Sequence, residues 1–191
     1  MKLVFATHNA NKLQEVKELL APKYEVIGLT ELNDHEDIPE NEPTLEGNAL
    51  VKARTIWSKY GLSCFSDDTG LEIDALGGEP GVYSARYGGP EKDPEQNMAK
   101  VLNGLKDKTD RTARFRTAVA LILDGNQHVF NGTVEGTIRK EKSGAQGFGY
   151  DPIFQPEGYE LTFAEMDSAE KGRISHRGRA IKALADFLKQ Q

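Results

Sequence analysis

The stretch RTARFRTAVALILDGNQHVFNGTVEGTIR, residues 111–139, decides the fold class of this chain. It holds two runs of strand-forming residues, Arg111 to Leu123 and Gln127 to Arg139, joined by Asp124-Gly125-Asn126. An Asp-Gly pair between two such runs is a strong short-range hairpin signal. The stretch therefore predicts two long antiparallel strands.

On both sides of this hairpin, short apolar runs alternate with segments of helical spacing. The other predicted strands are Lys2 to Ala6, Glu25 to Leu29, and Ser63 to Ser66 and Leu71 to Ala75 around a turn at Asp68-Thr69-Gly70. Predicted helices run from Asn9 or Asn11 to Pro22, from about Thr44 to Tyr60, from Asp93-Pro94 to Leu105, and from Ser175 towards the end of the chain. No linker or repeat divides the chain, so we expect one α/β domain over residues 1–191. It is predicted to be bilobal, with a mixed β-sheet that contains the long antiparallel hairpin and is flanked by helices.

Composition excludes several classes of protein. Of the 191 residues, 38% are hydrophobic and 28% are charged, which excludes disorder as the main state. The net charge of −6 argues against sequence-independent binding to nucleic acid, and the longest apolar run, Ala118 to Leu123, is far shorter than a membrane span. The lone Cys64 cannot form an internal disulfide, and the N-terminal apolar run is too short for a secretory segment. We therefore expect a cytoplasmic protein that binds neither membrane nor nucleic acid.

Charge is unevenly distributed along the chain. Residues 24–51 and 67–79 carry acidic residues and no Lys or Arg, whereas residues 171–182 are rich in Lys, Arg and His. Solvated faces commonly produce such runs. The alternative is an acidic side that holds a metal and a basic side that holds an anion, and a metal–nucleotide complex needs both.

The usual nucleotide-binding and hydrolase motifs are missing. The sequence contains no P-loop, no dinucleotide-binding glycine motif and no nucleophile elbow, and its histidines and single cysteine lack zinc-ligand spacing. Polar segments at the predicted junctions remain as candidates: Thr7-His8-Asn9-Ala10-Asn11-Lys12, Asn48 to Lys52, Ser66-Asp67-Asp68-Thr69-Gly70, Gly147-Phe148-Gly149-Tyr150-Asp151-Pro152 and Ser175-His176-Arg177-Gly178.

Each candidate segment has a chemical interpretation and an ordinary one. Unpaired N–H groups at a helix start favour an anion, and adjacent carboxylates suit Mg²⁺. A lysine and an asparagine four residues apart share a helix face, an aromatic residue in a glycine loop can stack on a base, and Arg177 supplies a fork of donors. The ordinary interpretations are a capped loop, a solvated turn, a surface Lys52, a core aromatic residue and polar residues at a helix start.

Together with Pro80-Gly81-Val82-Tyr83-Ser84-Ala85-Arg86-Tyr87, these blocks give the chain a resemblance to a known family. From about residue 2 to residue 188 it resembles the non-canonical purine NTP pyrophosphatases, the inosine/xanthosine triphosphate (dITP/XTP) enzymes. The resemblance implies two lobes with the nucleotide in the cleft between them, and a homodimer. It also implies Mg²⁺-dependent hydrolysis of ITP, dITP and XTP to the monophosphate and pyrophosphate, which cleanses the nucleotide pool.

The resemblance also implies roles for single residues. Asp68 matches the catalytic proton acceptor and a metal ligand, Glu40 matches the second metal carboxylate, and the adjacent Asp67 is a further candidate ligand. Glu42 stays open as an alternative to Glu40. The implied substrate-binding residues are Thr7, His8, Asn9, Ala10, Asn11, Lys12, Lys52, Thr69, Phe148, Gly149, Tyr150, Asp151, Lys171, His176 and Arg177. Position 8 is often glycine in that family and is histidine here.

The chemistry of a purine nucleotide fits these assignments. Lys12 and Lys52 would stabilise the leaving pyrophosphate. Donors from His176 and Arg177 would meet the O6 acceptor of hypoxanthine or xanthine, and adenine would leave them unpaired.

Two other functions stay open at this point. One is a related pyrophosphatase that acts on other bases, such as modified pyrimidines, which assays on a panel of bases distinguish. The other is a nucleotide- or RNA-binding module without activity, which predicts binding without Mg²⁺ and no pyrophosphate release.

Overall fold

The computed structural model describes residues 2–191, so Met1 of the predicted 1–191 domain lies outside the described residues. Within this range the chain has a mixed α/β fold, as the sequence predicts. The helices are α1 (Ala10–Leu20), α2 (Leu45–Tyr60), α3 (Pro94–Gly104), α4 (Ser168–Ile174) and α5 (His176–Leu188). The strands are β1 (Lys2–Phe5), β2 (Glu25–Gly28), β3 (Cys64–Ile73), β4 (Pro80–Gly81), β5 (Thr112–Leu123), β6 (Asn126–Ile138) and β7 (Phe154–Pro156). Of these elements, α4, β4 and β7 were not predicted.

The strands of the described range form one sheet in the order β2-β1-β3-β5-β6-β7, with β4 paired to β3. β1 runs parallel to β2 and to β3, whereas β4 is antiparallel to β3 and β7 is antiparallel to β6. The sheet is therefore mixed, as predicted. β1 ends at Phe5, which pairs with Phe65 of the longer β3. The loop after β1 thus begins beside Ser66 and the acidic residues that follow it.

The predicted hairpin is confirmed. β5 and β6 are joined by Asp124 and Gly125, which have φ angles of 49° and 85°. Positive φ at both central residues is the requirement of the type I′ turn, one of the common two-residue turns of hairpins, and Asp-Gly meets it at low cost. Each strand begins and ends within one residue of its predicted bounds.

Capping side chains place the helix starts as predicted. Thr44 caps α2 by accepting a hydrogen bond from the backbone N–H of Gly47, and Asp93 caps α3 by accepting one from Glu95. Each cap satisfies a backbone N–H group that has no partner within the helix.

The turn predicted at Asp68-Thr69-Gly70 is wrong, because β3 runs through it without a break. Asp, Thr and Gly favour turns where water can solvate their polar groups. Here Asp68 and Gly70 are buried, and neighbouring side chains supply donors to the carboxylates. The chain can therefore stay extended and pair along the sheet.

The residues divide into two compact units, each with its own core. The first unit consists of the N-terminal segment up to Asp68 together with Thr117–Gly132 and Arg177–Gln191. Its core contains the stacked rings of Phe5 and Phe65, whose centroids are 4.7 Å apart. The second unit consists of Thr69–Arg116 and Thr133–His176, with a core that contains Phe115, Phe154 and Phe163. None of the described helices is long and apolar enough to cross a membrane. The predicted nucleotide cleft stays a prediction.

Candidate active site

The loop after β1 folds back to start α1. Thr7 Oγ1 accepts a hydrogen bond from the Asn9 N–H at 3.1 Å, and Asn9 Oδ1 accepts one from the Lys12 N–H at 3.0 Å. Asn9, and not Asn11, is therefore the N-cap of α1. The predicted phosphate-binding loop is a capped turn at the positive end of a helix dipole.

Lys12 and Arg177 converge on Asp67. Lys12 Nζ lies 2.9 Å from Asp67 Oδ1, and Arg177 Nε donates to Asp67 Oδ2 at 3.2 Å. The other arm of the guanidinium donates from Nη1 to Glu15 Oε2 at 2.5 Å. The Asp67 and Arg177 side chains are 1% and 2% exposed, so solvent screens these charges little. Arg177, predicted to read the base, is thus held between two carboxylates.

The two cations decide the charge of Asp67. Burial alone would raise the pKa of this carboxyl, but Lys12 and Arg177 outweigh burial and hold that pKa below its ordinary value. Burial also lowers the pKa of Lys12, in spite of the Asp67 carboxylate beside it. Asp67 was predicted as a metal ligand, and the structure shows both of its oxygens accepting hydrogen bonds from cations.

α2 presents Asn48 and Lys52 on one face, as their four-residue spacing predicts. Lys52 Nζ lies 2.5 Å from Glu40 Oε1 and 2.6 Å from the backbone oxygen of Asp67. The Lys52 side chain is only 11% exposed, which excludes the surface-lysine interpretation. Burial alone would lower the pKa of Lys52, but Glu40, Asp67 and Asp68 outweigh it and raise that pKa.

Asp68 differs from its neighbour Asp67. It accepts a hydrogen bond from Asn48 Nδ2 at 2.9 Å, and it is 7% exposed. Burial raises the pKa of Asp68, opposed by the charge of Lys52 and aided by the charge of Glu40. A carboxylate with a raised pKa is a better proton acceptor than an ordinary aspartate, which fits the predicted catalytic role.

The oxygen donors of this region fit a magnesium ion. Mg²⁺ typically takes one or two carboxylates and completes its shell with water and substrate phosphates. Asp68 and Glu40 provide two hard oxygen donors whose mutual repulsion a cation would relieve. Among residues 2–191 no group of three or more His, Cys, Asp or Glu is placed to hold a metal ion. The backbone N–H of Glu42 donates to Asn48 Oδ1, and the start of its side chain lies beside Gly47. The choice between Glu40 and Glu42 stays a prediction.

We call the seven charged residues of this region the charged cluster. It lies within the first unit and consists of Lys12, Lys52, Arg177, Glu15, Glu40, Asp67 and Asp68. The charged cluster therefore contains three cations and four carboxylates.

The predicted base-side segment lies in the second unit, apart from Arg177. Lys171 Nζ lies 2.7 Å from Asp151 Oδ2, and the same oxygen accepts a hydrogen bond from the Phe148 N–H at 2.9 Å. The Lys171 ammonium also lies 4.7 Å from the centroid of the Phe148 ring. Gly147 has φ 73°, and a Cβ there would approach Asp151 Oδ2 to 2.1 Å, so the turn requires glycine.

Two predicted base contacts are buried in this structure. The Tyr150 ring belongs to the core of the second unit, and its hydroxyl donates to the Ser84 carbonyl oxygen at 2.7 Å. His176 is 3% exposed and stacks on Phe115 with ring centroids 4.5 Å apart. Of the two aromatic residues predicted to stack on a base, only Phe148 keeps partly exposed surface. Thr69, a further predicted contact, directly follows Asp68 on β3.

Comparison with known families identifies the family of this chain. The sequence profile of the Ham1 family matches residues 3–187. This chain belongs to the Ham1 family. Two curated Ham1 relatives are named dITP/XTP pyrophosphatase: that of Flavobacterium psychrophilum is 51% identical over 99% of this chain and 100% of its own length. The relative from Christiangramia forsetii is 54% identical over 98% of this chain and 99% of its own length.

Solved structures give the same result for the Ham1 fold. The Staphylococcus aureus Ham1 protein matches with a TM-score of 0.89 and 41% identity, covering 100% of this chain and 99% of that one. The HAM1 protein of Coxiella burnetii matches with a TM-score of 0.90 and 39% identity, covering 100% of both chains. The fold class predicted from the sequence is thereby confirmed.

The sequence does not identify every member of the Ham1 site. Glu15 was not predicted, although it lies one helical turn after Lys12 and so shares its face of α1. Asp34 lies in the acidic run of residues 24–51, and the structure shows it to be a buried carboxylate with several hydrogen-bond partners. Its only signal in the sequence was membership of an acidic run, which does not distinguish it from its exposed neighbours.

Proposed function

We propose that this Ham1 protein hydrolyses dITP and XTP, together with ITP, to the nucleoside monophosphate and pyrophosphate. The names of its curated relatives support this proposal. The observation that carries it is the pair of adjacent aspartates, Asp67 and Asp68, whose pKa values are shifted in opposite directions. Lys12 contacts the Asp67 carboxylate, and Lys52 contacts the Asp67 backbone oxygen.

Lys12 and Lys52 bind the triphosphate in this proposal. Both ammonium groups are largely buried beside carboxylates, and each has three N–H donors, so phosphate oxygens can accept hydrogen bonds from them while the contacts to Asp67 and Glu40 persist. Cations in a water-poor site stabilise the negative charge that develops on the leaving pyrophosphate more strongly than cations in water.

Asp68 accepts the proton of the attacking water. Burial raises its pKa, which favours proton uptake, and the hydrogen bond from Asn48 fixes the carboxylate in one orientation. Asp67 cannot share this role, since Lys12 and Arg177 stabilise its ionised form and lower its basicity.

Asp68 and Glu40 are the residues that would hold Mg²⁺. When bound, Mg²⁺ neutralises phosphate charge and polarises the phosphorus under attack. Asp67 stabilises the two cations beside it and contributes its backbone oxygen to Lys52.

The base is recognised by the segment around Phe148 in this proposal. The turn at Gly147 and the Lys171–Asp151 pair hold the Phe148 ring, whose face can stack on a purine. The family resemblance implies that His176 and Arg177 read the O6 edge, and both are buried in the free protein, so this contact requires them to rearrange when the base binds.

The chain is further proposed to act in the cytoplasm as a homodimer. The family resemblance supports the dimer, and the burial of the single cysteine, Cys64, agrees with a reducing compartment. Light scattering of the purified protein at micromolar concentration gives the mass that tests the dimer.

Product analysis tests the activity. Purified protein is incubated with XTP or dITP, with MgCl₂ or with EDTA, and the products are separated by chromatography. Monophosphate and pyrophosphate formed only with Mg²⁺ support the proposal. Diphosphate and orthophosphate contradict it, and ATP and GTP serve as matched controls for base selectivity.

A further inference from the structure

Asp34 is a buried carboxylate outside the charged cluster. Its Oδ2 accepts hydrogen bonds from the Tyr60 hydroxyl at 2.8 Å and from Lys59 Nζ at 3.0 Å, and its Oδ1 accepts one from the Glu36 N–H at 3.1 Å. The side chain is 3% exposed. A buried carboxylate needs this many donors to offset the loss of water, so the geometry around Asp34 is fixed.

The partners of Asp34 belong to three different segments. Tyr60 and Lys59 end α2, whereas Glu36 lies in residues 34–43, which we call the acidic loop. The third segment is the loop after β1, where His8 Nε2 lies 3.0 Å from the Asp34 backbone oxygen. Because a carbonyl oxygen only accepts, His8 carries a hydrogen on Nε2.

The acidic loop has little packing beneath it. A groove of about 280 Å³ that is open to solvent lies beside α2, lined on the loop side by residues such as Ile38 and Pro39 and on the helix side by Val51, Thr55 and Ile56. Contacts between apolar side chains therefore do not fill the space between the loop and α2. The hydrogen bonds at the two ends of the loop decide its path.

The far end of the acidic loop is held by the other end of α2. The Glu42 N–H donates to Asn48 Oδ1 at 2.9 Å, and Glu40 contacts Lys52. Asp34 and Glu42 thus attach the loop to opposite ends of one helix, with Glu40 between them. A change at Asp34 would shift the loop that carries Glu40.

From this geometry we propose that Asp34 is a positioning residue, which holds the acidic loop so that Glu40 lies beside Lys52 and which holds His8 in the loop after β1. This inference rests on the proposed function. Asp34 acts through Glu40 and His8. Its loss therefore weakens binding of Mg²⁺ and of the triphosphate and leaves the rate at saturation nearly unchanged.

Three variants separate positioning from a merely structural role. Asp34→Asn removes the charge, and Tyr60→Phe removes one donor and is the milder variant should the first fail to fold. Glu36→Gln is the matched control, because it removes the other carboxylate that contacts Lys59, at 3.1 Å, and leaves Asp34 in place.

The kinetic readout is KM for XTP, the Mg²⁺ concentration for half-maximal rate, and kcat. For Asp34→Asn we expect KM and the Mg²⁺ concentration for half-maximal rate to rise about tenfold, which is the size expected when a charge-assisted hydrogen bond is lost. We expect kcat to stay within about threefold of the wild-type value. Tyr60→Phe should raise them about threefold, and Glu36→Gln should match the wild type. Unchanged KM and Mg²⁺ requirement in folded Asp34→Asn would overturn the inference.

Amide hydrogen exchange gives a readout that needs no activity. Residues 36–42 should exchange faster in Asp34→Asn and in Tyr60→Phe than in the wild type or in Glu36→Gln, while the core strand β3 stays protected. Equal exchange in all four proteins overturns the positioning role. A wild type that releases no pyrophosphate from any purine triphosphate contradicts the proposed function alone, and the exchange experiment still decides the role of Asp34.

Discussion

The charged cluster of the first unit and the Asp151–Lys171 pair of the second unit are both buried and ionic, yet they are built differently. The charged cluster contains three cations and four carboxylates, and its ion pairs join residues that are distant along the chain. In the second unit one ion pair holds a glycine turn, and an aromatic ring covers the lysine. The first arrangement suits chemistry on a charged substrate, and the second suits recognition by shape.

The two adjacent aspartates illustrate the difference most clearly. Lys12 and Arg177 lower the pKa of Asp67, whereas burial raises the pKa of Asp68. When their environments shift the pKa values of two neighbouring carboxyl groups in opposite directions, the two groups are suited to different roles. In the second unit the Asp151–Lys171 pair holds the turn that carries Phe148, and we therefore expect the residues of this segment to affect binding more than rate.

The largest effect is expected at Asp68. Asp68→Asn removes the proton acceptor, so kcat for XTP should fall by about 10³-fold or more while far-ultraviolet circular dichroism stays unchanged. Asp186→Asn, at an exposed carboxylate of α5, is the control and should keep full activity. Turnover like that of the wild type in Asp68→Asn would remove Asp68 from the mechanism.

A smaller loss is expected at Lys52. Lys52→Met keeps the length of the side chain and removes its charge, so kcat/KM for XTP should fall by about 10²-fold through weaker stabilisation of the leaving pyrophosphate. Lys182→Met removes a lysine whose side chain is 77% exposed and should change little. Equal kinetics for the two variants would contradict a role for the cluster in phosphate binding.

A substitution in the predicted base-binding segment of the second unit should change KM. Phe148→Ala removes the ring proposed to stack on the purine, so KM should rise about tenfold for XTP and dITP alike, with kcat nearly unchanged. Tyr83→Ala, at a tyrosine that is 58% exposed, is the matched aromatic control. A fall in kcat at constant KM would break the proposed division between chemistry and recognition.

The smallest effect is a pH dependence of stability at Asp34. The Tyr60 hydroxyl and Lys59 outweigh burial and lower the pKa of Asp34 to about 2. A carboxyl with a depressed folded-state pKa stabilises the fold above its unfolded value of about 4, and this stabilisation is lost as pH falls through about 2.

Denaturant unfolding at several pH values measures this contribution. At pH 7, Asp34→Asn should lower the free energy of unfolding by about 2 kcal/mol, and its difference from the wild type should shrink between pH 4 and pH 2. A difference that stays constant over this window would show that the charge of Asp34 contributes nothing.

Local patterns predicted much of the fold. The Asp-Gly turn, the alternation of strand and helix signals and the capping residues placed the hairpin and the main helices close to their observed bounds. The failure at Asp68-Thr69-Gly70 came from applying a solvent-based turn preference to a segment whose polar groups have partners elsewhere in the chain. Polar residues at the predicted junctions indicated most of the candidate segments, and the family resemblance gave their residues roles. Neither predicted the chemical surroundings of these residues.

The sequence by itself determined the fold class, the helix starts, the hairpin and the membership of the Ham1 family, because each depends on neighbours along the chain or on ordered blocks. Only the tertiary structure decided that Arg177 lies between Asp67 and Glu15, which are 110 and 162 residues away from it, and that Lys52 and Tyr150 are buried. The physical reason is that burial and charge pairing depend on which segments meet in space. Spacing along the chain does not carry that information.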